Sequence, residues 1–448
     1  MNGNEVEIAD LYIEKYSRII QSNDLVKLHG RITDVVGFVV HSIGPNVKLG
    51  EICSIIDKDG NEVVKSEVVG FKDGKVVSIS LGEMKNVSPH CEILATGESF
   101  KVAISDNLLG RVIDGLGNPI DNLESLEIDK FSSIYSEPPN PLHRTRIAEP
   151  LQTGIRAIDG LLTCGKGQRV GIFAGSGVGK SVLLGMIARN TNADVNVIVL
   201  VGERGREVRE FIEKDLGEEG LKRSVLVVST SDKSALLRVK AAYIGTTIAE
   251  YFRDQGKDVV LMMDSVTRFA MSQREIGLTV GEPPTTRGYT PSVFALLPKL
   301  LERAGTSSRG SITGFYTVLV DGDDMTEPVA DAVRSILDGH IVLSRRLANK
   351  AQYPAIDPLQ SISRVMPDIV SQEHRVRVSL FNEILATYNE AEDLINIGAY
   401  VRGSNPQIDH ALSKINDLRG FLKQNYDDHT NYDETVERLF NIIEEPLV

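Results

Sequence analysis

Between residues 169 and 348, short runs of apolar residues alternate with stretches of helical period. Arg169–Ala174, Val195–Gly202, Ser224–Ser229, Asp258–Met263 and Ile312–Val320 are continuous apolar or β-branched runs of strand length. Ser181–Arg189, Arg206–Leu216, Lys233–Arg253 and Glu327–Leu337 carry apolar residues at helical spacing. A strand that is apolar at every position must be covered on both faces, so this alternation predicts a parallel sheet covered by helices. Residues 25 to 97 follow a different rule, with short β-type runs such as Gly37–Val40, Val63–Val69 and Lys75–Leu81 separated by Lys-Asp-Gly at 58–60 and 72–74. Asp-Gly between such runs marks a tight hairpin, and many short strands with Gly turns predict a small β-barrel. Beyond residue 365 the pattern is mostly helical.

Two segments carry weaker patterns. In residues 1–22, Ile8, Leu11, Tyr12, Ile19 and Ile20 share one helical face, which suits either a helix packed on its own domain or a detachable one that docks a partner. Gly110-Arg-Val-Ile-Asp-Gly-Leu-Gly-Asn-Pro119 and Glu137-Pro-Pro-Asn-Pro141 read as an extended connection. The expected organisation is therefore a helix over 1–22, a barrel over 23–97, a nucleotide-binding α/β domain over 98–365 and a helical domain over 366–448. A length of 448 residues suits about three folded domains.

Composition narrows the function. Forty-two per cent of residues are hydrophobic and 25% charged, which suffices for a core and excludes global disorder. Lys plus Arg number 49 against 62 Asp plus Glu, a balance of −13 that argues against a chain built to grip nucleic acid. An RNA translocase would need aromatic and basic residues in its N-terminal domain, and residues 25–97 hold only Phe38 and Phe71 as aromatics. The three cysteines, Cys53, Cys91 and Cys164, include no CxxC pair, and the eight histidines are scattered, so a cysteine zinc site is not expected. No apolar run reaches the length of a membrane span and the N-terminus has no signal-peptide character, so a cytoplasmic protein is expected.

The chemistry concentrates in three places. Ala174-Gly-Ser-Gly-Val-Gly-Lys-Ser181 follows a predicted strand and opens a predicted helix, the context of a phosphate-binding loop. Gly175, Ser176, Gly177, Val178, Gly179 and Val182 would wrap phosphate oxygens with backbone N–H groups. Lys180 would reach the β- and γ-phosphates of ATP, and Ser181 would ligate Mg2+. The first position is Ala174 rather than Gly, which a negative φ tolerates. Val259-Val-Leu-Met-Met-Asp264 ends a buried strand with a carboxylate, placed either to help hold Mg2+ or to cap the helix that starts near Val266. Val201-Gly-Glu-Arg-Gly-Arg-Glu207 puts Glu203 first past another strand end, where a carboxylate would polarise the attacking water, with Arg204 beside it to steady phosphate or Glu203. The alternative is a charged surface loop. His143, Arg144 and Arg146 form a small basic cluster, expected to be spent on internal ion pairs.

With these motifs in view, residues 98 to 370 resemble the catalytic-type subunits of rotary ATP synthases and the related export ATPases, above all the flagellar protein-export ATPases and, next, the injectisome type III secretion ATPases. The resemblance is carried by the phosphate loop, Glu149-Pro-Leu-Gln-Thr-Gly-Ile-Arg-Ala-Ile-Asp159, Gly202-Glu-Arg-Gly-Arg-Glu207, Asp264-Ser-Val-Thr-Arg-Phe269, Gly281-Glu-Pro-Pro284 and Ser361-Ile-Ser-Arg364. Asp321-Gly-Asp-Asp-Met-Thr-Glu-Pro328, Asp338-Gly-His-Ile-Val-Leu-Ser344 and Ile395-Asn-Ile-Gly-Ala-Tyr-Val-Arg-Gly-Ser-Asn405 resemble the export branch. It implies an α/β P-loop NTPase core with an N-terminal β-barrel and a C-terminal helical domain, assembled as a homohexameric ring that hydrolyses Mg-ATP between subunits to energise protein export. Glu203 then matches the catalytic carboxylate, Arg204 the arginine beside it, Arg364 the finger that reaches a neighbour's nucleotide, and Tyr353 the aromatic against adenine. Non-catalytic ring subunits carry Gln where this chain has Glu203, and the acidic Asp-Glu-Leu-Ser-Glu-Glu-Asp segment of the synthase β subunit is missing here. The partners implied are a regulatory stator-like protein at residues 1–22, a stalk protein, chaperone–substrate complexes and, through them, an export gate at the membrane. Arg287 lies in a loop that either faces the pore of such a ring or is simply solvated.

Overall fold

The computed structural model describes residues 28–88, 90–320, 322 and 324–443; the helix expected over 1–22 lies outside them. Two compact units divide at Phe100 and Lys101.

The first unit is a closed six-stranded barrel of β1 (His29–Val36), β2 (Val39–Ile43), β3 (Glu51–Ile56), β4 (Glu62–Lys72), β5 (Lys75–Ser80) and β6 (Glu92–Ser99), in the order β1-β2-β5-β4-β3-β6. Its turns form where the Asp-Gly pairs stand. Asp73 and Gly74 both have positive φ, 51° and 73°, which makes a two-residue loop whose twist matches the strands that it joins. Asp57 closes the other turn, its Oδ1 accepting from the amides of Asp59 and Asn61 at 2.9 Å each. Inward positions Ile32, Val40, Cys53, Ile55, Val68, Val76, Cys91 and Ile93 form the core. The run expected to start at Gly37 begins instead at Val39, because Gly37 (φ 61°) turns the chain.

The second unit is built on one sheet ordered β17-β16-β10-β15-β13-β11-β12-β8. The parallel strands are β8 (Val112–Asp114), β10 (Arg169–Ala174), β11 (Val195–Val201), β12 (Ser224–Ser229), β13 (Asp258–Asp264), β15 (Ser311–Leu319) and β16 (Gly339–Leu343). β17 (Ile362–Ser363) and β14 (Gly305–Thr306) add antiparallel, and β7 (Lys101–Ile104) and β9 (Lys130–Ser133) pair as a separate two-stranded sheet. All seven residues of β11 and all six of β12 are buried, the reason that their sequence is apolar throughout.

The stretch read as a connection departs from expectation. Val112–Asp114 is an edge strand of the main sheet, with Val112 level with Leu226. Asp121 holds it there, taking the Arg111 guanidinium at 2.7 and 2.9 Å and the Val112 amide at 3.0 Å. The proline-rich part stays extended to Asn140 and makes one 3-10 turn at Pro141–His143, and Arg144 just after it is spent internally on the carbonyls of Ala304 and Glu302.

The C-terminal helical domain, with helices Gln372–Asn396, Pro406–Leu422 and Tyr432–Ile442, shares its core with the nucleotide-binding domain. Phe381, Leu385, Ile415, Leu418, Phe421 and Leu439 join one cluster with Ile158, Leu161, Leu184 and Ile187. Gly160 makes this contact possible, since a Cβ there would stand 2.7 Å from the Phe421 ring. Ser371, Asn405 and Asn431 cap the three helices with side-chain oxygens. Among the described residues no helix is long and apolar enough to cross a membrane.

Candidate nucleotide site

β10 delivers the chain to the C-terminal edge of the sheet at Ala174, and the next residues turn back into the helix Lys180–Asn190. Gly177 and Gly179 have φ of 78° and 92°, which an L side chain adopts only under strain. Val178 between them is buried and pins the loop from below. Ser176, Ser181 and Val182 are exposed, on the rim of a cavity of about 540 Å3 that Gly175, Lys180, Glu203 and Arg268 also line. The first turn of the helix opens here, so its unpaired N–H groups and dipole favour an anion.

Parallel pairing sets the side chains around this loop. Asp264, last residue of β13, is level with Leu200 of β11, and Glu203 follows just past the end of that strand. Lys180 Nζ donates to Asp264 Oδ1 and stands 3.8 Å from Glu203 Oε1. Thr317 Oγ1 donates to the same Asp264 oxygen at 2.7 Å. Asp264 therefore faces the lysine rather than capping the next helix, where the Ser265 hydroxyl accepts the Arg268 amide at 3.3 Å.

Glu203 is buried, and burial pushes its carboxyl up to about 7, the Asp264 charge adding to the rise and Lys180 opposing it. Its Oε1 accepts no hydrogen bond among the described residues. A carboxylate poised near neutrality with an unused acceptor suits a group that orients and polarises water.

The arginine at Glu203 is not the one that its neighbour in sequence suggests. Arg204 lines the cavity but is mostly exposed and pairs with Glu207 at 3.5 Å. Arg268, from the first turn of the helix Val266–Val280, brings Nε to 3.4 Å from Glu203 Oε1. Gly202 (φ 71°) clears its path, because a Cβ there would sit 2.8 Å from Arg268 Cδ. The available signal was Arg268 one helical turn after the strand-end Asp264, with a glycine before Glu203.

Tyr353 lies beside the loop, its ring 3.6 Å from where a Gly179 Cβ would stand. With Val182, Met186, Pro354 and the segment Lys423–Tyr426 it lines a second cavity of about 560 Å3, which shares Gly179 and Val182 with the first. Tyr353 is 47% exposed, open to a planar ligand.

Arg364 is not brought to this site. It follows β17, where Ser363 pairs with Gly339 at the start of β16, so it stands at the opposite edge of the sheet from the phosphate loop of its own chain. Arg287 is occupied by Asp324 at 2.8 Å.

Among the described residues no three His, Cys, Asp or Glu side chains gather into a metal cage. The donor set fits Mg2+ in another way. A Ser181 hydroxyl on the loop rim and the Asp264 carboxylate are hard oxygen ligands, few in number, as expected of an ion that arrives with phosphate oxygens and waters of its own.

Residues 32–97, 154–363 and 370–441 match the families described as ATP synthase alpha/beta family, beta-barrel domain; ATP synthase alpha/beta family, nucleotide-binding domain; and T3SS EscN ATPase C-terminal domain. The chain is 55% identical to a flagellum-specific ATP synthase of Bacillus subtilis, covering 94% of this chain and 97% of that one. It is 50% identical to a type 3 secretion system ATPase of Xanthomonas euvesicatoria, covering 93% and 94%. The assembled ATPase EscN of the enteropathogenic E. coli type III secretion system superposes with a TM-score of 0.87 at 46% identity, over 93% of this chain and 100% of that one.

Proposed function

The chain belongs to the ATP synthase alpha/beta family, in its branch of flagellum-specific ATP synthases and type III secretion ATPases, and from that premise we propose that this ATPase turns over Mg-ATP in a homohexameric ring to energise export of flagellar proteins. The observation that carries the chemistry is the cluster of Lys180, Glu203, Asp264 and Arg268 at the mouth of the phosphate loop.

Backbone N–H groups of Gly175–Lys180 hold the phosphates, and the Lys180 ammonium balances charge that builds on the β- and γ-oxygens. Ser181 and Asp264 would hold Mg2+, which would neutralise phosphate charge. Lys180 then exchanges its contact with Asp264 for the phosphates. Glu203 orients the attacking water and draws its proton, and Arg268 keeps that carboxylate in place. Arg204, exposed at the cavity rim, is free to swing toward phosphate when its weak pair with Glu207 opens. Tyr353 packs against the adenine. Arg364 serves the site of the adjacent subunit, a role supported by its position on the far edge of its own sheet.

Ring assembly and work at the export apparatus draw support from relatives: EscN is described as assembled, and in complex with its central stalk EscO. A stalk protein, chaperone–substrate complexes and a regulatory stator-like protein at residues 1–22 are the partners, and the enzyme works in the cytoplasm, reaching the membrane-bound gate through them. Export of injectisome clients is the second assignment, favoured by the 50% identity to the Xanthomonas enzyme. Restoring motility to a strain lacking its flagellar export ATPase, without restoring secretion to one lacking the injectisome ATPase, would settle the clients.

The test of mechanism is Mg-ATPase activity against protein concentration for the parent and Glu203→Gln. Specific activity should rise with concentration as rings form, and the variant should lose at least about 100-fold in kcat while still binding nucleotide. A folded Glu203→Gln that hydrolyses ATP like the parent removes Glu203 from the reaction.

A further inference from the structure

Arg364 is exposed, with one guanidinium N–H reaching the Leu337 carbonyl at a long 3.4 Å, so where the guanidinium reaches depends chiefly on the backbone that it stands on. That backbone is held by a closed polar bracket. The Gln168 side chain is fully buried, its Oε1 accepting the Gly165 amide at 2.9 Å. Gln168 Nε2 donates to the Ser363 hydroxyl at 3.1 Å and to the Asp338 carbonyl at 3.3 Å. Ser363 Oγ in turn donates a hydrogen bond to the Thr163 carbonyl at 2.8 Å. The Arg364 amide donates to that same Asp338 carbonyl at 3.0 Å. The Asp338 side chain is locked in turn by Arg169, through the backbone N at 3.1 Å and the guanidinium at 3.0 and 3.1 Å. There is no slack in the bracket, since a Cβ on Gly339 would meet the Ile362 carbonyl at 2.6 Å and Gln168 Nε2 at 3.2 Å.

We propose that Gln168 is a positioning residue for Arg364, fixing the finger that each subunit offers to its neighbour; this rests on the across-interface role given above to Arg364. A buried amide with both ends satisfied is costly to disturb, and a two-residue strand at a sheet edge has little else to hold it. A charge that must meet a transferring phosphoryl group has to be held to within a fraction of an ångström, and support for it comes from the residues behind. Gln168 directly precedes β10, whose other end is the phosphate loop. A defect in Gln168 is therefore open to two explanations: its own site through β10, or its neighbour's through Arg364.

Mixed rings separate them. Gln168→Ala alone should lose about 10- to 100-fold in kcat, the scale of a misplaced catalytic group, with the Kd for a fluorescent ATP analogue unchanged within about twofold. Mixing it with an excess of Lys180→Ala subunits, whose own sites are dead but whose bracket and finger are whole, should restore turnover per Gln168→Ala site toward the parent. Arg364→Ala in the same mixture is the reference. If Arg364→Ala is restored and Gln168→Ala is not, Gln168 acts on its own site and the proposal is wrong. If neither is restored, Arg364 serves no neighbouring site, and both assignments fall. Ser363→Ala removes the acceptor without opening a cavity at Gln168 and should behave alike. Should Gln168→Ala not fold, rescue of Ser363→Ala supports the bracket and its absence overturns it.

Discussion

The two edges of the parallel sheet differ in how their charges are spent. At the N-terminal edge three buried or half-buried cations have each met a complement. Arg303, 1% exposed, is gripped by both Glu250 oxygens at 2.6 and 2.9 Å, by Thr247 and by the Ile134 carbonyl. Lys166 lies between Asp258 at 2.9 Å and Glu149 at 3.0 Å, and Arg169 is bidentate on Asp338. At the C-terminal edge the books stay open. One lysine is shared by Asp264 and Glu203, the Asp264 charge adds to the cost that burial puts on ionising Glu203, and a buried Glu203 oxygen accepts nothing among the described residues. Groups that hold a fold are satisfied by the fold. Groups that bind a charged ligand are left to be completed by it, and folding stability is lower for that.

Breaking a closed pair should give the largest effect. Glu250→Ala strands the buried Arg303 guanidinium without a counter-charge, which costs about 3–5 kcal/mol when one partner of such a pair is removed. Urea denaturation of the folded variant should show that loss, while kcat of the surviving rings stays near that of the parent. A cost below about 1 kcal/mol would mean that the N-terminal edge is not closed in the sense argued here.

A smaller effect belongs to the open edge. Tyr353→Ala removes a half-exposed side chain from the cavity rim, so the fold should hold while the KM for ATP rises about tenfold, the scale of one base stacked on an aromatic side chain. Tyr353→Phe keeps the face and should behave like the parent. If Tyr353→Ala changes kcat instead of KM, the 560 Å3 cavity is not where the base sits.

The same contrast explains what was legible in the sequence. Strand β12 runs Ser224–Ser229 as expected, and the phosphate loop opens its helix one residue early, because continuous apolar runs and closely spaced glycines leave few alternatives. Asp73-Gly74 was legible for the same local reason. Properties set by partners distant in sequence were not. The helix expected over 206–216 widens into a π-turn at Phe211–Leu216, where Gly185 packs so closely on Asp215 that a Cβ would be 2.6 Å away. Val112–Asp114 becomes a strand only because β12 offers an edge. Arg268 looked like any helical arginine until the strand ends put it against Glu203. That Arg364 stands at the far edge depends on the antiparallel addition of β17, which no local pattern announces.

The smallest effect tests the openness of the site without any turnover. Burial, then the Asp264 charge, hold the Glu203 carboxyl at about 7 in the folded protein, against an ordinary value of 4.5. Below 4.5 both folded and unfolded chains carry the proton and the residue costs nothing. As pH rises from 4.5 through 7 the unfolded chain gives up its proton first, so the stability contribution is lost across that window and stays lost above it. Glu203→Gln has no proton to lose. Without nucleotide, its stability relative to the parent should therefore rise between pH 4.5 and 7 and level off, by on the order of 1 kcal/mol once solvent screening at the cavity rim is allowed for. Asp121, closed against Arg111 and held at about 2, has the opposite sign, its contribution being present above its ordinary value of 3.8 and lost as pH falls through 2. The two windows do not overlap, so a parent-minus-variant difference that is flat from pH 4.5 to 7 points to Glu203 alone. It would mean that the carboxyl is already ionised in the empty site, and that Lys180 and Arg268 close this edge as fully as the other one.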